Sequence, residues 1–222
     1  ELDVKLALLD QWVDAHGRID CLFLGSSQAD SAIDPAAFAA AFQQQSGNTI
    51  QCFNFSLATL TAEPAGQIAA ILAQRYQPAL LVYATSARDY SLNFGEWARP
   101  LLDDPWVRYT SGDFNLRGWM IDRSFAVRSL ILIRQQSNPD YRSFTQELRS
   151  GLTIFGYKPA SGNDLRNEKT NFIPEYSISQ QDLVGLDQLL RLQSQDLEIL
   201  IVEIPVHHSF LPYYIEADLQ AY

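Results

Sequence analysis

Apolar residues along this chain change period repeatedly, and each change marks a predicted element. Over residues 2–16, Val4, Leu6, Leu8, Leu9, Trp12 and Val13 fall on a helical stripe, which predicts an opening helix. Residues 19–25 form a short apolar run that stops at Gly25-Ser26-Ser27, the profile of a parallel strand buried on both faces. Asp34-Pro35 reads as an N-cap with proline at the first position of a helix over 36–45, which Gly47-Asn48 ends. A second strand over 49–55, a second helix over 62–76 and a third strand over 78–83 follow. Strands alternating with helices predict βαβ units and a doubly wound parallel sheet, an α/β architecture of three layers.

The rhythm then breaks. Between Ala84 and Leu197 no strand pattern stands out; helical stretches near 93–109 and 116–136 lead into a polar segment, 137–175. Residues 91–175 read as an insertion after the third strand that covers one end of the sheet. A helix over 179–195 and a fourth strand over 197–204 resume the pattern, followed by Pro205-Val206-His207-His208. The chain thus reads as a single domain over 1–222. Because it opens on Glu1, has Met120 as its only methionine and stops within a helical pattern at Tyr222, we expect it to be truncated at both ends.

Composition narrows the partners. Hydrophobic residues are 47% and charged residues 19% of the chain, within the globular range. The formal net charge of −10 disfavours nucleic acid and an anionic membrane surface, both of which select cationic patches. No apolar run reaches the ~18–20 residues of a membrane span. Cys21 and Cys52 cannot build a disulfide framework or a zinc site; they read as two buried strand thiols, with a mutual disulfide open if their strands are neighbours in an oxidising compartment.

In open α/β sheets ligands gather at the carboxyl ends of the strands. Here those ends carry Gly25-Ser26-Ser27-Gln28, Asn54-Phe55-Ser56-Leu57-Ala58-Thr59, Thr85-Ser86-Ala87-Arg88-Asp89 and His207-His208. No glycine-rich phosphate loop follows any strand, which argues against dinucleotides and nucleoside triphosphates. A flavodoxin-like module holding a flavin on Gly25-Ser26-Ser27 stays open but unsupported, and no cofactor or metal is expected.

These blocks carry a resemblance. Leu22-Phe23-Leu24-Gly25-Ser26-Ser27 with Ile33-Asp34-Pro35 resembles the first block of SGNH (GDSL-type) hydrolases, and more narrowly the Gly-Ser-Ser variants among extracytoplasmic SGNH-like proteins, some of which act on cell-envelope polysaccharides. The run Asn54 to Thr59 is similar to the second block, and Ser86-Ala87-Arg88-Asp89 stands where the third has Gly-x-Asn-Asp. The likeness covers 19–90 and 197–208 and leaves the insertion out. It implies a strand order of 2-1-3-4, an extracytoplasmic location with an N-terminal membrane anchor outside this chain, and acyl transfer on a small-molecule or saccharide ester.

Residue by residue, Ser27 aligns with the nucleophile, the alternative being a helix cap. Thr59 stands at the second-block glycine, where a backbone N–H serves as oxyanion donor unless positive φ is required. Arg88 replaces the oxyanion-binding asparagine, the alternative being a salt bridge to a nearby acid. Ser26, Asn54, Asp89, His207 and His208 complete the rim as candidate substrate contacts, Asn54 also serving to pin the strand-end loop. The family's Asp-x-x-His block is missing: the residues three before His16, His207 and His208 are Val13, Ile204 and Pro205. The base therefore lies past Tyr222, or is rebuilt around His207 or His208, or the protein is a non-catalytic binding or assembly module.

Overall fold

The computed structural model of the protein describes residues 2–137 and 176–205. Four strands, β1 (Cys21–Gly25), β2 (Cys52–Asn54), β3 (Leu80–Thr85) and β4 (Glu198–Glu203), form one all-parallel sheet in the order β2-β1-β3-β4. Cys21 is in register with Cys52 on one side and with Leu80 on the other, and Leu80 with Glu198. The α/β class, the parallel sheet and the 2-1-3-4 order are those expected from the sequence.

The strands are apolar throughout because both faces are covered. Leu22, Leu24, Phe53, Leu81 and Tyr83 belong to the main core with Leu6 and Leu9 of α1 (Leu2–His16), Ile68 and Leu72 of α4 (Ala62–Tyr76), and Leu189 of α9 (Gln180–Leu190). The alternate residues Cys21, Phe23, Cys52 and Val82 face the other way, toward Phe38 and Ala39 of α3 (Pro35–Ser46). Asp34 caps α3 by accepting from Ala36 N at 2.8 Å and Ala37 N at 3.3 Å, with Pro35 at its first position. Cys21 and Cys52 are both free thiols, although their strands are neighbours.

One helix is missing from the sequence reading: α2 (Ser27–Ala32), six residues directly after β1. Its sequence, Ser-Gln-Ala-Asp-Ser-Ala, has no apolar stripe to signal it. The expected stretch 93–109 is broken into α5 (Leu92–Ala98), a 3-10 turn and α6 (Pro105–Thr110), and 116–136 into α7 (Leu116–Arg123) and α8 (Phe125–Ser137). Asp104 and Asn115 cap α6 and α7, and Pro105 opens α6, so the breaks are encoded by local capping. In the described part of the insertion, α8 lies beside α1 and α6 beside α4. Residues 138–175 of the expected insertion lie outside the described residues.

β4 departs from the pattern of a buried parallel strand. Ile199 packs on the main core, but Leu200 and Val202, on the opposite face, are 47% and 40% exposed. Their register partners on β3, Val82 and Ala84, are buried.

The closest helix packing joins α4 to α9. A Cβ added to Gly66 would lie 2.4 Å from Gly185 O, and one on Gly185 would lie 2.3 Å from Ala62 O. Alanine raises helix propensity by up to about 1 kcal/mol, yet here it must displace backbone, and overpacking costs about 1–3 kcal/mol. Gly66→Ala and Gly185→Ala are therefore each expected to lower the urea midpoint at unchanged m-value; an increase in either would show that the crossing yields.

Candidate functional site: the carboxyl-end rim of the sheet

Because every strand is parallel, β1, β2 and β3 deliver their following segments to one edge. β1 ends at Gly25, where a Cβ would lie 2.2 Å from Ala84 O and 2.5 Å from Ala29 Cβ. Only glycine lets the chain turn this tightly from the sheet into α2. Ser26 is the extended N-cap residue and is fully buried, and Ser27 is the first, half-buried residue of the helix. The Ser27 hydroxyl makes no hydrogen bond to any described residue, and its carbonyl accepts from Ser31 Oγ at 3.0 Å.

Lys5, Asp30 and Asn54 together fix α2, and of these the sequence singled out only Asn54. Lys5 of α1 and Asp30 of α2, each 3% exposed at the side chain, form an ion pair of 2.5 Å. Lys5 Nζ also donates to Asn54 O at 3.1 Å. Asn54 then binds α2 from below: Nδ2 faces Ala29 O at 3.1 Å and Ile33 O at 3.0 Å, and Oδ1 accepts from Ser56 N at 3.0 Å. Asn54 is fully buried with its amide engaged, so its place is structural rather than a contact with substrate. The signal for Lys5 was present: a lysine between Val4 and Leu6 interrupts a face that otherwise buries.

After β2, Leu60 N donates to Leu57 O at 3.2 Å and closes a turn whose third residue is Thr59. Thr59 has φ +61, and its Oγ1 donates to Ala58 O at 2.6 Å. A β-branched residue in the left-handed region is strained. The condition attached to Thr59 is thus met: the position does require positive φ, and threonine adopts it at a cost.

After β3, residues Ala87–Tyr90 form a 3-10 turn. Asp89 is fully buried, with Oδ2 accepting from Ser86 N at 2.9 Å and Ser86 Oγ at 3.3 Å in a capping box. It stabilises the turn and is not open to a substrate. Burial raises its carboxyl to about 6, against the opposing charge of Arg88 and the hydrogen bonds of Ser86 and Ser26. Ser26 and Asp89 are therefore neighbours across β1 and β3, yet Ser26 Oγ and Asp89 Oδ1 each lack a well-formed hydrogen bond. Arg88 is half-buried, its guanidinium carbon 4.6 Å over the Phe94 ring, with Nε and Nη2 both buried and without a hydrogen-bond partner. The alternative of a salt bridge does not occur among the described residues.

His207 and His208 lie outside the described residues. The one described imidazole, His16, stacks on Trp12 at 3.9 Å and bonds Trp12 O just before β1 begins, at the opposite edge of the sheet. Open cavities of about 510, 380 and 350 Å³ also lie away from Ser27, Thr59 and Arg88. No group of three or more His, Cys, Asp or Glu side chains that could hold a metal occurs among the described residues. None of the described helices is long and apolar enough to cross a membrane. In comparisons with known proteins, no family model, no curated protein and no solved structure matches the chain.

Two measurements test this account of the rim. Thr59→Gly removes about 1–2 kcal/mol of left-handed strain and adds about 0.5–1 kcal/mol of glycine entropy, so we expect stability to rise by up to roughly 1.5 kcal/mol in chemical denaturation. For Asp89, the folded carboxyl keeps its proton up to about pH 6 while the unfolded one, at the ordinary aspartate value of 3.8, has released it. The stability associated with it is present below about pH 4 and is lost as pH rises to about 6, by roughly 3 kcal/mol. Denaturation curves between pH 4 and 7 are expected to show this decline, and Asp89→Asn to flatten most of it.

Proposed function

We propose that the rim is an SGNH-like acyl-transfer site at which Ser27 attacks an ester carbonyl. The observation that carries the reading is Thr59: where the resemblance has glycine, this chain has a β-branched residue held at φ +61. A backbone that keeps a glycine conformation without glycine is constrained by something other than local preference, and strain of this kind collects at functional sites. Its N–H makes no hydrogen bond among the described residues, as an oxyanion donor requires.

In this reading Ser27 Oγ forms the new bond to the carbonyl carbon and gives its proton to a base. The carbonyl oxygen, now an oxyanion, is met by the Thr59 and Ser27 N–H groups and by the positive charge of Arg88. Collapse expels the alcohol, and the acyl group passes to water or to an acceptor hydroxyl. The base must come from residues other than those described. Acylated saccharides as substrates, an extracytoplasmic location and an N-terminal membrane anchor belong to the same proposal and rest on the resemblance alone. The net charge of −10 favours none of these but disfavours nucleic acid as an alternative.

The missing base favours a second reading, a binding or assembly module that keeps the fold without turnover. A serine hydroxyl without a base in reach is a weak nucleophile, and the described imidazole is at the wrong edge. The two readings separate in one assay. With the full-length protein and p-nitrophenyl acetate, acyl transfer predicts a loss of at least ~10²-fold in Ser27→Ala; equal rates in the variant and the parent would leave the binding module.

A further inference from the structure

The chain has two cysteines, and the sheet sets them side by side. Cys21 opens β1 and Cys52 opens β2; the two are register partners, and both join the layer under α3 with Phe23 and Val82. Parallel neighbours lie about 4.7–4.9 Å apart, inside the range of about 4.4–6.8 Å that a disulfide spans between α-carbons. Contact with the Cys52 thiol, together with burial, holds the Cys21 thiol above its ordinary range. Cys52 Sγ is held loosely by the backbone, reaching Ile50 O only at 4.0 Å.

The two thiols differ in access. Cys21 is fully buried, whereas Cys52 lines an open cavity of about 350 Å³ between α3 and the chain entering β2. α3 contributes Pro35, Ala36, Ala39 and Ala40 to the wall, and these short side chains leave room for a small molecule. A bond between the thiols would also be easily broken. Parallel strands keep equivalent β-carbons at about the strand spacing, beyond the ~3.5–4.5 Å of a relaxed disulfide, so closing it draws β2 toward β1. β2 can yield, being three residues long and at the edge of the described sheet. A bond under such tension is reduced more readily than a structural one.

We infer that Cys21 and Cys52 form a reversible dithiol–disulfide pair that exchanges with low-molecular-weight disulfides entering at Cys52. Deprotonated Cys52 Sγ attacks one sulfur of the incoming disulfide, forming a mixed disulfide and releasing a small thiolate, which takes up the proton that Cys52 gave up. Cys21 Sγ then loses its proton, attacks Cys52 Sγ and expels the second small thiol, which leaves with that proton. Two protons and two electrons thus pass from the protein to the small disulfide, which departs as two thiols. The ring so closed runs from β1 through α2 and α3 to β2. Oxidation therefore ties down the unit that carries Ser27, from the sheet edge opposite the rim, whatever the rim itself does.

The test places the reduced full-length protein in glutathione buffers from fully reduced to fully oxidised, caps the remaining thiols with N-ethylmaleimide and maps the peptides by mass. We expect a peptide pair joined through Cys21 and Cys52 that grows with the oxidised fraction and disappears when reduced glutathione is restored. In Cys21→Ala, the glutathione adduct on Cys52 is expected to exceed that of the parent by roughly tenfold or more, because the thiol that displaces it is gone. In Cys52→Ala, Cys21 is expected to stay unmodified. Absence of the bridge from the folded parent overturns the inference, the urea-unfolded chain serving as the positive control for oxidation. A bridge that reduced glutathione cannot open overturns it as well, as does a glutathione adduct on Cys21 in Cys52→Ala.

Discussion

The carboxyl-end rim depends on one buried ion pair. Lys5 and Asp30 are both withdrawn from water, which is expensive for each charge alone, and their contact of 2.5 Å is what makes the burial tolerable. Removing either partner would leave an uncompensated interior charge at a cost of about 3–5 kcal/mol. The pair ties the first turns of α1 to α2, and through Asn54 O to the end of β2. The amide of Asn54 donates to Ile33 O just past α2 and adds a second donor to Ala29 O, which already accepts from Ile33 N at 3.1 Å. The position of Ser27, one turn back along the same helix, follows from these contacts.

A second polar hub sits at the other end of the helical layer. Arg75 of α4 joins Asp122 of α7 at 2.5 Å and Asp10 of α1 at 3.3 Å, with Tyr76 OH donating to Asp10 at 2.6 Å and Trp106 Nε1 to Asp122 at 3.2 Å. Arg128 of α8 reaches Asp10 at 2.7 Å. The described helices of the insertion are thereby fastened to α1 and α4 by charge as well as by apolar packing. The 510 Å³ cavity opens beside this hub, lined by Arg75, Tyr109 and Phe114. This cavity and the residues of the rim are thus at different places on the fold.

The sheet was legible because buried parallel strands leave continuous apolar runs, and residues 80–83 and 199–202 could hardly be anything else. Strand order was legible only through the resemblance of the Gly25-Ser26-Ser27, Asn54 and Ser86-Ala87-Arg88-Asp89 blocks, since periodicity does not say which strands pair. What escaped detection depends on contacts between distant residues. The ion pair of Lys5 and Asp30 crosses elements, and α2 is held by tertiary hydrogen bonds rather than by an apolar face. Asp89 was a rim candidate in the sequence, but a carboxylate three residues after Ser86 in a tight turn folds back on its own backbone. Thr59 carried the clearest warning, a threonine at a glycine position, whose meaning required a backbone angle.

β4 bears on how copies of the protein behave toward one another in solution. Among the described residues it is paired on one side only, and its centre, Leu200 to Val202, is open. Such an edge is a template for a strand of another chain. Two copies meeting antiparallel and in register would set Glu198 of each against Glu203 of the other, a like-charge mismatch at both ends of the contact. That mismatch and the net charge of −10 act as a colloidal barrier. Its range shrinks from about 30 Å at 0.01 M salt to about 8 Å at 0.15 M, and it vanishes as pH approaches 4.6, where the chain carries no net charge. Ionic strength and acidity therefore set how strongly charge keeps this edge away from a second copy.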